Sequence, residues 1–150
     1  MAFLDITDPQ KVIYLGKLLS SSNPSDWRDV KIYNNHAFVV SEASNHGLQV
    51  FNLKRLLDLN EFKMFNEDYI VNDFGNAHNI AINTSSGFAY ILGSALYEGG
   101  PVFYDISIPE QPILRGGFSD TSYIHDAQII TYKGEDQNYF GKEILLGSNS

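Results

Sequence analysis

The sequence predicts an all-β protein made of β-propeller blades, each a four-stranded antiparallel repeat of about 47–50 residues, with about three blades' worth in the chain. Three observations carry that prediction. A phrase returns three times, as Trp27-Arg28-Asp29-Val30-Lys31-Ile32-Tyr33, Ala77-His78-Asn79-Ile80-Ala81-Ile82-Asn83 and Ile124-His125-Asp126-Ala127-Gln128-Ile129-Ile130, and its second polar residue recurs after 50 and then 47 residues. A second phrase keeps the same period. Phe103-Tyr104-Asp105-Ile106-Ser107-Ile108-Pro109 repeats Phe3-Leu4-Asp5-Ile6-Thr7-Asp8-Pro9 at a distance of 100 residues, with Val50-Phe51-Asn52-Leu53 between them. The third observation is composition: 9 Tyr and 10 Phe among 43% apolar residues can fill a core and favour strands over helices.

Taken in order, the elements follow from alternation and turn residues. Phe3 to Ile6 reads as a strand ending at the Asp8-Pro9 turn, and Val12 to Leu18 as the strand after it. Each later unit opens with a first strand, at Val30–Tyr33, Ile80–Ile82 and Ala127–Tyr132. Polar reversals at Asn34-Asn35, at Thr84 to Gly87 and at Lys133 to Gly141 lead into second strands at Ala37–Ser41, Phe88–Leu92 and Glu143–Leu146. Glycine-bearing loops, His46-Gly47 and Gly99-Gly100, introduce third strands at Leu48–Leu53 and Val102–Ile106. A proline-preceded strand is expected outermost. The middle connection departs from the pattern: apolar spacing from Leu53 to Asp58 suits one or two helical turns, an insertion continuing through Phe62, Phe65 and Tyr69.

These elements group into a single partial domain over residues 1–150. Residues 1–24 end one blade, 25–75 form a blade with a short helical insertion near 53–60, 76–120 form another, and 121–150 start a further one. A closed propeller has 4–8 blades. The expectation is therefore a fragment whose missing blades come from the rest of the protein, with closure by oligomerisation the second reading.

Charge and composition exclude several classes. Eighteen acidic against ten basic residues give a net charge of −8, which argues against phosphate-neutralising nucleic-acid contacts and against docking on anionic membranes. The chain has no cysteine, so disulfides, thiolate metal sites and cysteine nucleophiles are excluded within it. No apolar run is long enough to span a membrane, and Met1 to Ile6 lacks the pattern of a signal peptide. Nucleophile-elbow, zincin-helix and phosphate-loop motifs are also missing.

The repeated polar pairs are the candidate site. Propeller first strands line a central channel, so Arg28, Asp29, His78, Asn79, His125 and Asp126 would converge on one opening. No catalytic residue is assigned. No cofactor is assigned either; a divalent metal is the alternative, with His78, His125 and Asp126 as its candidate ligands. The plainer reading makes the pairs structural joints, because polar residues at repeat corners satisfy adjoining backbone groups; Asp126 and Asn79 suit that role. Among their neighbours, His36 and His46 are expected on exposed turns, Trp27 between blades and Arg28 beside a local aspartate.

The phrases at Phe3–Pro9, Ser25–Lys31, His46–Phe51, Asn76–Ile80 and Tyr123–Gln128 resemble proteins carrying LVIVD repeats, and above all the choice-of-anchor B family. The resemblance covers nearly the whole chain in order. It implies a β-propeller from a secreted or cell-surface protein, commonly followed by an anchoring segment, and it supplies no settled ligand or reaction. The function expected is a non-enzymatic binding or adhesion platform for an unidentified protein, glycan or small molecule. One alternative is a metal-dependent hydrolase or lyase using His78 and His125; another is a structural spacer.

Overall fold

The computed structural model describes residues 1–149 and contains strands and 3₁₀ turns, with no α-helix among the described residues. Thirteen strands form four sheets, none closed on itself. The first sheet holds β1 (Ala2–Asp5), β2 (Ile13–Leu18) and β6 (Lys63–Phe65). The second runs β3 (Arg28–Tyr33), β4 (His36–Ser41), β5 (Leu48–Asn52) and β7 (Tyr69–Val71). The third is β8 (Asn79–Asn83), β9 (Phe88–Leu92), β10 (Val102–Asp105) and β11 (Ile113–Gly117), and the fourth pairs β12 (Ile124–Thr131) with β13 (Glu143–Asn149).

Local chemistry explains why the phrases recur. In β1 and β2 a bulge falls between Phe3 and Leu4, with Phe3 opposite Gly16. The same bulge falls between Phe103 and Tyr104, with Phe103 opposite Gly116. After each strand the aspartate makes an Asx turn: Asp5 Oδ1 accepts from Thr7 N at 2.9 Å, and Asp105 Oδ1 from Ser107 N at 3.1 Å. The Asn34-Asn35 reversal has φ of 44° and 59°, the left-handed pair that a two-residue hairpin requires and asparagine tolerates.

Two details of the second unit differ from the sequence prediction. Its connection is a single 3₁₀ turn at Leu53–Leu56, capped by Asn52, followed by β6, which pairs in parallel with β2 of the first sheet. Phe65 explains the excursion, because it is buried against Phe3 and Phe51 with ring centroids 5.9 and 5.2 Å away. The outermost strand is Tyr69–Val71, preceded by Glu67-Asp68 rather than by proline.

The sheets stack face to face, so the inner strands are apolar on both sides. From β4, Phe38 and Val40 pack towards the third sheet against Ile80, Ile91 and Tyr104, while Val39 faces Phe3, Phe51 and Phe65. Burying such rings contributes heavily; truncating one to alanine costs about 3–5 kcal/mol. Ile124 packs on Ala81, Tyr90 and Leu92 and ties the fourth sheet to the third. This stacking sets the first strands side by side, β3 next to β8 and β8 next to β12.

Candidate functional site

The starts of β3, β8 and β12 meet in one cleft of about 240 Å³, lined by Trp27, Arg28, Asp29, His78, Asn79 and His125. Five of the six residues picked out by the repeat therefore come together. The sixth, Asp126, lies in a separate shallow depression with Gln128, Leu146 and Ser148. The register of β12 against β13 slips between Ile124 and Asp126, and His125 lies at this slip with its Nε2 3.1 Å from that of His78.

The aspartates at the corners are structural. Asp29 accepts from Val30 N at 2.8 Å, from Lys31 Nζ at 2.6 Å and, across the sheet boundary, from Ile80 N at 3.2 Å. One carboxylate thus joins the second sheet to the third. Asp126 repeats the local part of this arrangement, accepting from Ala127 N at 2.8 Å. Asn79 occupies the corresponding place in the third sheet, but its Oδ1 is enclosed without a hydrogen-bond partner. An enclosed acceptor left without a donor costs free energy unless a water or ligand supplies one.

The histidines are arranged differently. His78 Nε2 lies 3.1 Å from His125 Nε2, and the two rings are 4.2 Å apart by centroid. On its other side, His78 Nδ1 lies 2.5 Å from Glu42 Oε1. A carboxylate accepts only, so in neutral His78 Nδ1–H donates to Glu42 and the Nε2 lone pair is presented to His125. Glu42 arrives from the end of β4: Ala77 N donates to Ser41 O at 2.9 Å, drawing that strand end against the lead-in to β8. Gly93, with φ +66°, leaves the space on the far side. A Cβ there would lie 2.8 Å from both His78 Cβ and the Tyr123 hydroxyl. Burial, then the Glu42 charge, pushes the Tyr123 hydroxyl pKa up, so it stays protonated near neutrality.

Several neighbours contradict their sequence expectations. His46 is fully buried rather than on a surface turn, and its Nδ1–H donates to Gly47 O at 2.9 Å. Its Nε2 accepts from Arg28 Nη1 at 3.0 Å, because a guanidinium can only donate. Burial is the main cause holding this ring below the ordinary histidine pKa, against the raising effect of the Gly47 bond. Arg28 makes no ion pair with an aspartate among the described residues; its other bonds go to Ser20 Oγ at 2.8 Å and Ser25 O at 3.2 Å. His36 is buried too, 2.7 Å from Asn34 O and 3.0 Å from Glu110. Trp27 packs between no sheets: it is 65% exposed at the cleft, its backbone oxygen held by Ser41 and Glu42.

Glu42 and Tyr123 are the site residues that sequence reasoning missed. Glu42 lies 36 residues from His78, outside the repeated phrase, and its only signal is that it is the one carboxylate in a loop of Ser, Ala and Asn. Among the described residues, no three His, Asp or Glu side chains gather as a ready-made metal cage. Among the described residues no helix is long and apolar enough to cross a membrane. Comparison with protein-family models, curated proteins and solved structures found no match.

Proposed function

We propose that the chain is a segment of a β-propeller that works as a binding module, and that the cleft at the first strands holds a ligand carrying a carboxylate. The propeller reading rests on the 47–50-residue period, on two four-stranded antiparallel sheets of like order and on the neighbouring first strands. The LVIVD-repeat resemblance adds a secreted or cell-surface setting and relation to the choice-of-anchor B proteins.

One observation carries the ligand class. Arg28 lines the cleft with no carboxylate of the described residues within ion-pair distance, while Trp27 stands 65% exposed beside it. A guanidinium held by neutral partners keeps N–H donors for a carboxylate, and an exposed indole offers a flat face to a sugar ring or apolar group. Acidic glycans meet both requirements. The overall charge of −8 disfavours long-range attraction of anions, so recognition here is by contact.

Trp27 is the only tryptophan, so its fluorescence reports the cleft directly. Titration with oligogalacturonate is expected to change that emission saturably, and a neutral oligosaccharide of equal length is not. Arg28→Gln, with its fold checked by circular dichroism, is expected to remove the response. Equal responses to the neutral sugar refute the carboxylate. A chain that responds to no glycan, acid or peptide is the spacer.

A further inference from the structure

We propose that His78 and His125 form a two-imidazole site for a first-row divalent transition-metal ion of the zinc type, with Glu42 orienting His78. The inference deepens the reading of the cleft as a binding site and rests on it. Two nitrogen ligands 2.0–2.1 Å from a tetrahedral ion lie roughly 3.3 Å apart. The Nε2 atoms of His78 and His125 already stand 3.1 Å apart, so an ion between them needs a spreading of only a few tenths of an ångström.

The arrangement around the pair is what metal-ligating histidines require. Such a histidine characteristically donates its other ring N–H to a carboxylate, which fixes the tautomer and strengthens the ligating nitrogen. Glu42 stands in that place behind His78. Without metal, the His125 Nε2–H donates to His78. Ligation through the His125 Nε2 requires the tautomer that carries its proton on Nδ1. Asn79 lines the same cleft, and its Oδ1 is enclosed without a hydrogen-bond partner.

The other two of the four histidines do not compete: His36 and His46 are buried and bonded to backbone, Glu110 or Arg28, whereas His78 and His125 face each other in the cleft. Imidazole ligands without a first-contact carboxylate select zinc, copper or nickel over calcium and magnesium. With two protein ligands, the remaining positions are open to water or to the carboxylate of a bound ligand.

The test is calorimetric titration of the chain with zinc chloride alone, paired with the absorption spectrum of the cobalt(II) form. One equivalent of zinc and a tetrahedral cobalt spectrum are expected, with no heat from calcium. His78→Ala and His125→Ala should each abolish the equivalent. Glu42→Gln preserves shape and should weaken binding about 10–100-fold. Absence of zinc binding overturns the inference, as does binding that persists in the double histidine variant or is indifferent to Glu42→Gln. The Trp27 titration separates this from the wider reading. Oligogalacturonate binding without zinc binding sinks the metal site alone, and zinc binding with no Trp27 response to any ligand sinks the carboxylate reading alone.

Discussion

The Asp29 corner and the His78 corner both stand at the start of a first strand in successive repeats, yet their side chains are bonded differently. Asp29 has three donors on its two oxygens, one of them from the neighbouring sheet. His78 has one nitrogen on Glu42, and its other nitrogen faces another imidazole inside an open cleft. A repeat places a side chain; what surrounds it decides whether it holds the fold or remains available. The partners separate the two cases: backbone and lysine donors at Asp29, a second imidazole at His78.

Substitutions can break this contrast. The largest expected effect is at Gly93, which makes room for His78 and Tyr123. Gly93→Ala puts a side chain on a left-handed backbone and into contact with both, at about 3 kcal/mol in chemical denaturation. Asp29→Ala comes next at about 2 kcal/mol, because Ile80 N loses its acceptor at a partly buried boundary. If Asp29→Ala proves as harmless as a surface change, the joint between the sheets lies elsewhere.

A pH series sharpens the comparison. The unfolded chain takes up a proton at His46 near its ordinary value of 6.5, while the buried ring in the folded protein resists it. The neutral ring's contribution is therefore complete above that pH, and stability falls as pH drops below it. Melting temperatures between pH 7 and pH 5 should show this slope, and His46→Gln should flatten it. An unchanged slope in the variant would mean that His46 is not the titrating group.

The smallest effects belong at the far end of the repeat. Asp126→Ala removes an exposed cap on one N–H and should cost under about 1 kcal/mol by thermal melt. His125→Ala, at an exposed position, should move stability by less than about 0.5 kcal/mol while removing the zinc equivalent. A large loss of stability there would make His125 a joint like Asp29.

Much of the strand pattern was legible because it is written locally. Alternation, paired asparagines and Asp-x-Ser/Thr turns act over a few residues, so the first, second and third strands fell close to their expected places. The path after Leu53 was not legible. A short apolar stretch fits a helical turn as well as a strand, and the choice fell to Phe65 reaching a neighbouring sheet. The histidines on turns misled for a similar reason. His36 and His46 occupy polar sequence, yet they are buried by Glu110 and Arg28 arriving from 74 and 18 residues away.

By itself, the sequence determined the all-β character, the period and the set of polar residues at each first strand, because strand alternation and turn chemistry are short-range. Only the tertiary structure decided which of those residues are free. The approach of His125 to His78, the cross-sheet bond from Ile80 N to Asp29 and the arrival of Glu42 behind His78 all depend on stacked sheets. A side chain's unused bonding capacity is set by neighbours distant in the chain, and packing brings them together.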